Sequence, residues 1–146
     1  MKTQLTYSEI TEYMHIHVGR DVALSYVSEQ SIRVVTELEY RLPLLGRKTL
    51  NVDANVTLKK IVGTDLYLSY SFPNHAMESA VNVAYNLFST TLSRKLPMVE
   101  KLDGNNLIVH LSEVRQLSKA LDVIEIDDVQ FSPSEVLVNI KLKALM

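Results

Sequence analysis

The feature that most constrains this fold is a set of long segments in which apolar and polar residues alternate. In the clearest of them every second residue is apolar: Leu50, Val52, Ala54, Val56 and Leu58. Side chains at alternate positions of a β-strand point to opposite faces of the sheet. The pattern therefore predicts strands with one buried face and one face in water.

Similar alternation predicts six further strands, over residues 22–27, 32–42, 66–72, 107–111, 124–131 and 136–144. The longest predicted strands run about 11–12 residues, roughly twice the usual strand length. Each residue adds right-handed twist, so antiparallel strands of this length cannot lie flat. They predict a sheet that curls around something on its apolar face. A change of parity at Asp127–Asp128 predicts a β-bulge there.

Helical spacing of apolar residues predicts the object that the sheet encloses. A long helix is expected from His75 to Lys95, with Asn74 as its N-cap and Pro97 beyond its end. Shorter helices are expected near the N-terminus, capped by Ser8 or Thr6 and ended by Gly19, and after Ser112. The predicted fold class is α+β: a long, highly curved antiparallel β-sheet wrapped around one long α-helix, with short accessory helices.

Length and composition restrict the possible functions. A chain of 146 residues with 47% hydrophobic residues is expected to form a single domain, residues 1–146. Its net charge is -2 with acids and bases interleaved, which argues against a nucleic-acid partner. Cysteine is absent, so disulfides, thiolate catalysis and Cys-type metal sites are excluded. The N-terminal residues lack the apolar region of a signal peptide, and no run approaches the ~18 apolar residues of a membrane span, which predicts a cytoplasmic protein.

Two groups of residues have the chemistry of metal ligands. His15 and His17 would share one face of a strand, but not of a helix, and no recognisable pattern supplies a third ligand. Glu125, Asp127 and Asp128 form an acidic group without the Asp-x-Asp-x-Asp-Gly loop of calcium sites. We therefore favour surface histidines and a solvated or salt-bridged acidic group, and we predict no metal site.

Catalytic and cofactor motifs do not occur in the sequence. It contains no Gly-x-Ser-x-Gly elbow, no Gly-x-Gly-x-x-Gly and no phosphate-binding loop. We therefore predict a protein that is not an enzyme and needs no cofactor. An enzyme that uses His15 and His17 with a metal is the weakest of the alternatives.

The aromatic residues and the apolar side of the long helix suggest a different kind of site. Eight residues are predicted to line the space between sheet and helix: Tyr26, Tyr40, Tyr70, Phe72, Met77, Val81, Tyr85 and Phe88. They form either a packed core or an incompletely filled groove that holds a lipid tail or another long apolar ligand. Tyrosine suits the mouth of such a groove because it has an apolar body and a polar tip.

The opening Leu5-Thr6-Tyr7-Ser8-Glu9-Ile10-x-x-Tyr13, together with the strand patterns of residues 107–111 and 123–131, extends this prediction. In these patterns the chain resembles small bacterial members of the tubular lipid-binding (TULIP, BPI-like) superfamily. The resemblance implies a curled sheet around a long helix, with an apolar groove that binds lipid and no catalytic residues.

Two functions are thus expected from the sequence. The first is non-enzymatic binding of an apolar ligand, of the lipid class, between the curved sheet and the long helix. The alternative is a protein-interaction or assembly module with a filled core and no ligand. In that case exposed strand edges would pair between chains and form a homo-oligomer.

Overall fold

The computed structural model describes residues 2–42, 44–82 and 97–143. Strands account for 57% of this part of the chain. They are β1 (Lys2–Thr6), β2 (Val22–Ser28), β3 (Ser31–Leu42), β4 (Gly46–Val62), β5 (Asp65–Ser71), β6 (Val99–Lys101), β7 (Asn106–His110), β8 (Ile124–Phe131) and β9 (Glu135–Leu142). The protein is therefore mostly β.

The strands form two antiparallel sheets. The large sheet has six strands in the order β2-β3-β4-β5-β7-β6, and the small sheet has three in the order β1-β9-β8. Strands β2 to β5 are consecutive hairpins, as expected for strands joined by short turns. The longest pairing joins β3 to β4 without interruption, from Ser31 opposite Thr57 to Leu42 opposite Gly46.

The helical elements are short. Helix α1 (Tyr7–Tyr13) begins with a capping box: the Glu9 backbone N–H donates to Thr6 Oγ1 at 3.1 Å, and the Thr6 N–H donates to Glu9 Oε1 at 3.1 Å. Of the two predicted caps, Thr6 is thus the one used. A π-helical turn, Met14–Val18, follows, and Gly19 caps its end with a φ of 75°. The other helical elements are residues 75–82, Arg115–Ser118, and the 3₁₀ turns Leu111–Glu113 and Ala120–Asp122.

The predicted fold class, one curved sheet wrapped around one long helix, is wrong. The described chain is mostly β, its strands lie in two sheets, and no long helix is present among the described residues. The cause is a long-range pairing: β1 pairs with β9, and β9 with β8, so that strands from both ends of the chain form a second sheet. That sheet packs on the apolar face that the helix was expected to cover.

Only the beginning of the predicted helix from His75 to Lys95 can be assessed. Residues 75–82 are helical, and Asn74 Oδ1 accepts a hydrogen bond from the Met77 N–H at 2.8 Å, which confirms the predicted cap. Residues 83–96 lie outside the described part of the chain.

Several local predictions are confirmed and others are corrected. The predicted bulge is present as a register shift between Ile126 and Asp128. A second shift, between Leu58 and Lys60, was not predicted. Strands β1 and β6 were also missed. Their sequences, KTQLT and VEK, are too short and too polar for an alternation to be recognised.

The core lies between the facing surfaces of the two sheets. Four buried side chains form its centre: Tyr7 at the start of α1, Leu58 on β4, Val129 on β8 and Val136 on β9. Partly buried apolar residues surround them: Ile10, Leu24, Ile32, Ile61, Leu66, Leu68, Ile126, Phe131 and Val138. No large side chain among the described residues is less than 2% exposed. The part of the core that the described residues form is therefore thin.

Candidate functional site

A row of apolar residues crosses four neighbouring strands of the large sheet. Tyr26 lies opposite Ile32, Ile32 opposite Val56, and Val56 opposite Tyr70. Directly opposite residues of antiparallel strands share a face of the sheet, so these four side chains form one continuous surface. We call Tyr26, Ile32, Val56 and Tyr70 the apolar row. Ile32 packs against the core cluster, so the row lies on the face turned towards the small sheet.

The apolar row is only partly covered. Tyr26 is 40% exposed, and the other three members are half-buried. Phe72 extends the surface, since its ring meets the Tyr70 ring edge-on with centroids 5.6 Å apart. Three residues predicted from the sequence to line a ligand site, Tyr26, Tyr70 and Phe72, thus belong to one apolar surface.

At its Tyr26 end this surface lies near Tyr7. Burial raises the pKa of the Tyr7 hydroxyl, and the nearby Tyr26 raises it further. The Tyr7 hydroxyl donates a hydrogen bond to the Ser132 carbonyl at 2.5 Å, which ties α1 to the turn between β8 and β9. Tyr26 therefore lies where the core meets solvent.

Met77 occupies a different place from the apolar row. Its sulfur accepts a hydrogen bond from the Asp53 backbone N–H at 3.4 Å. The pairing of β5 with β4 stops at Asn55 opposite Ser71, so Met77 lies beside β4 just beyond the end of β5. From the same helical segment, Glu78 accepts a hydrogen bond from the Asn105 side chain at 3.2 Å, and Val81 is half-buried.

The remaining predicted lining residues are not brought to the row by the described structure. Tyr40 lies opposite Lys48, about 26 Å along β3 from Ile32 at the usual rise of a strand. Tyr85 and Phe88 lie outside the described residues. The single lining expected from the sequence is therefore divided between the apolar row, the edge of β4 and the far end of the β3–β4 hairpin.

An open cavity of about 820 Å³ lies beside Met77, and acidic and apolar side chains share its lining. Its walls include Asp21, Glu37, Glu39 and Asp53, with Arg20 at one side. Glu37, Glu39 and Asp53 lie on the parity of β3 and β4 opposite to the apolar row, whereas Asp21 precedes β2. The cavity is therefore an open basin with both acidic and apolar walls.

Asp53 and Asp21 at this basin already have partners. Arg33 donates to both carboxylate oxygens of Asp53, at 2.8 and 2.5 Å, and these bonds lower the pKa of Asp53 and raise that of Arg33. His15 Nδ1 lies 2.6 Å from Asp21 Oδ1. The two carboxylates are thus paired with cationic or titratable groups.

The predicted ligand pair of His15 and His17 does not converge. His15 faces Asp21, whereas the His17 ring packs on the Tyr13 ring with centroids 4.5 Å apart. The two histidines lie in the π-helical turn, so the strand spacing that would align them is absent. Among the residues that the structure describes, no three His, Cys, Asp or Glu side chains are grouped to hold a metal ion.

The acidic group on β8 is salt-bridged. Lys141 Nζ lies 3.6 Å from Glu125 Oε2 and 3.4 Å from Asp127 Oδ1, and Asp128 accepts a hydrogen bond from the Val129 N–H. The bulge gathers these acids around the lysine of the adjacent strand. The salt-bridged interpretation is thus confirmed for Glu125 and Asp127.

One titratable group was missed by the sequence analysis. His110 Nδ1 lies 2.8 Å from Asp65 Oδ1, and its Nε2 lies 3.8 Å from Glu100 Oε1. The hydrogen bond to Asp65 is the main cause of a raised His110 pKa, and burial opposes it. No local motif could have found this group, because its three members are brought together by the β5–β7–β6 pairing.

Together the fold and these surfaces define a two-sheet antiparallel β protein with a partly covered apolar row. No family model matches the chain, and neither a curated protein nor a solved structure matches it. The resemblance to the tubular lipid-binding superfamily therefore stays a prediction from the sequence pattern. No helix among the described residues is long and apolar enough to cross a membrane.

Proposed function

We propose that this protein is a non-enzymatic binding module that holds an apolar ligand of the lipid class against the apolar row and Phe72. The observation that carries the proposal is the partial exposure of a surface that the strand register makes continuous. Much of a folded protein's surface is apolar, so the continuity of this surface across four strands, and not exposure alone, favours a ligand. A ligand that covers it would gain roughly 25 cal/mol for each Å² of apolar area removed from water.

The chemistry of the row defines the class of ligand. It consists of aliphatic and aromatic side chains with no charged member, and the only polar atoms of its side chains are two phenol oxygens. Sites of this type bind hydrocarbon by contact and fix its polar end with few groups. Tyr26, the most exposed member and the one on the outermost strand β2, is placed to meet that polar end.

Strand β2 also supports the second candidate, an assembly module. It is one end of the large sheet, and it carries Val27 at 49% exposure beside the exposed Tyr26. Edge strands offer backbone groups for pairing with another chain. A second copy paired along β2 would form a homo-oligomer.

Native mass spectrometry of gently purified protein, before and after organic extraction, separates the two candidates. We expect a lipid-sized adduct that extraction removes and that added oleic acid restores. Tyr26→Glu places a charge at the mouth of the row and should abolish the adduct. Ser25→Glu, a neighbouring exposed position on the other face of β2, is the matched control and should retain it.

Two other results would contradict the binding of an apolar ligand or favour the assembly module. Protein without an adduct, and with an unchanged melting temperature in oleic acid, would refute the binding of an apolar ligand. A dimeric mass under the same conditions, lost when β2 is altered, would favour the assembly module.

A further inference from the structure

Strands β3 and β4 extend beyond both of their neighbours. The pairing of β2 with β3 ends at Thr36, and that of β5 with β4 ends at Asn55. Within the described part of the chain, residues 37–42 pair only with residues 46–51. At about 3.3 Å per residue this two-stranded arm is roughly 20 Å long. We call residues 37–51 the ribbon.

The tip of the ribbon exposes two adjacent leucines. Leu44 is 97% exposed and Leu45 is 66% exposed. Single exposed apolar residues are common on protein surfaces, but neighbouring ones at the end of a protruding arm form a surface that favours contact with another apolar phase. The tip is therefore suited to insert into an apolar environment.

Basic residues flank the leucines in the sequence, and we call Arg41, Arg47 and Lys48 the collar. Residues 40–50 contain Arg41, Arg47 and Lys48 and no acidic residue, in a chain whose net charge is -2. In the backbone register residue 41 lies opposite residue 47, so the basic positions of both strands fall at the same level of the ribbon. Arg47 and Lys48 are exposed, and neither forms a salt bridge within the described residues.

We propose that the ribbon tip docks on an anionic lipid bilayer, with Leu44 and Leu45 inserted below the headgroups and the collar on the anionic groups. Apolar residues flanked by Lys and Arg bind membrane interfaces in this way, by apolar burial together with attraction to acidic lipids. Backbone pairing up to Gly46 leaves few free polar groups to desolvate in a shallow insertion. This proposal does not depend on the ligand of the apolar row.

Sedimentation with lipid vesicles tests the proposal. The protein should bind vesicles that contain equal amounts of phosphatidylcholine and phosphatidylserine, bind weakly to phosphatidylcholine alone, and dissociate at high salt. The double variant Leu44→Ser/Leu45→Ser should bind about a hundredfold more weakly, since each leucine loses most of its transfer free energy. Leu142→Ser, at a position that is 70% exposed, is the matched control and should bind normally.

The collar and the ligand site are tested separately. Arg47→Gln and Lys48→Gln should each weaken binding about fivefold, which is the effect of one cation near an acidic membrane. Lys143→Gln is the charge-matched control at an exposed position of the last described residues. Tyr26→Glu should leave vesicle binding unchanged, so failure of one proposal is distinguishable from failure of the other.

Insertion itself can be seen by fluorescence because the chain contains no tryptophan. Leu44→Trp should show a blue-shifted emission with the phosphatidylserine vesicles, whereas Leu142→Trp should not. Undiminished binding of the double serine variant, or an unshifted Leu44→Trp spectrum, would overturn the proposal. Loss of a vesicle-free dimer in the same double variant would overturn it too, since the tip would then contact a second copy.

Discussion

The inner half of the β3–β4 hairpin and the ribbon differ in what packs against their apolar faces. Leu58 in the inner half is 8% exposed and belongs to the same buried cluster as Tyr7 and Val136. Leu50 lies on the same face of β4 and is only half-buried, and Leu44 at the tip is almost fully exposed. The apolar face of β4 thus passes from the core at Leu58 to a half-buried position at Leu50, and the turn that precedes the strand reaches open solvent at Leu44.

The inner half of the hairpin and the ribbon also differ in the free energy needed to open them. The inner half has hydrogen-bonded strands on both sides and a second sheet over it. The ribbon has only its own two strands among the described residues, and an isolated two-stranded hairpin is at best marginally stable in water. We therefore expect the ribbon to open locally at low free-energy cost, while the inner half opens only in global unfolding.

The largest expected difference comes from truncating the same residue type in each half. Leu58→Ala should lower the free energy of unfolding by about 2–5 kcal/mol, because it leaves a cavity in the core. Leu50→Ala should cost about 1 kcal/mol or less, since less apolar area is removed from the interior. Urea denaturation followed by circular dichroism measures both values. Equal costs would show that the ribbon is as well packed as the core.

Alanine substitution of the glycines at the two ends of β4 tests the same difference through backbone strain. Gly46 and Gly63 have φ angles of 73° and 62°, and a Cβ added at either position would meet no atom within 4 Å. An alanine at such an angle costs roughly 1–2 kcal/mol in strain. Gly63→Ala should show this cost in global unfolding. Gly46→Ala should instead accelerate hydrogen exchange of the ribbon amides and change global stability by less than half as much.

Tyr7→Phe should have a smaller effect. It removes the hydrogen bond to the Ser132 carbonyl but keeps the ring in the core, so the loss should be about 0.5–1.5 kcal/mol. Tyr26→Phe, at a partly exposed position on the apolar row, should change stability little. Chemical denaturation of both variants checks the difference. A larger loss for Tyr26→Phe would mean that the row is more tightly packed than its exposure indicates.

The smallest expected effect is a pH dependence near the start of β5. The His110 pKa is raised in the folded protein, chiefly by Asp65, so protonated His110 stabilises the fold. This contribution is complete below the ordinary value of about 6.5 and is lost as the pH rises through the raised pKa. The difference in melting temperature between wild type and His110→Gln should therefore be largest at low pH and shrink above neutrality. A difference independent of pH, or one that survives in an Asp65→Asn background, would contradict this origin.

Much of the local structure could be predicted from the sequence. The alternation of apolar and polar residues correctly predicted β3, β4 and β9. The capping hydroxyl of Thr6 indicated the start of α1, and the change of parity indicated the bulge near Asp128. These features depend on neighbouring residues, so a short window of sequence contains their cause.

The assembly of the strands could not be predicted in the same way. Nothing in the local pattern of Lys2–Thr6 indicates that it pairs with Glu135–Leu142 at the other end of the chain. The composition of the expected site could not be predicted for the same reason. Tyr26 and Tyr70 share a row only because the registers of three strand pairs align, whereas Tyr40 lies far along β3 from Ile32.

The sequence by itself determined which face of each long strand is apolar, because alternation acts residue by residue. The tertiary structure decided how much of that face is covered. The strands of the small sheet are 5 to 8 residues long, whereas β4 has 17, so they are too short to cover the whole length of β4. Burial requires a partner from elsewhere in the chain, and Leu44 and Leu45 remain exposed at the tip of the ribbon.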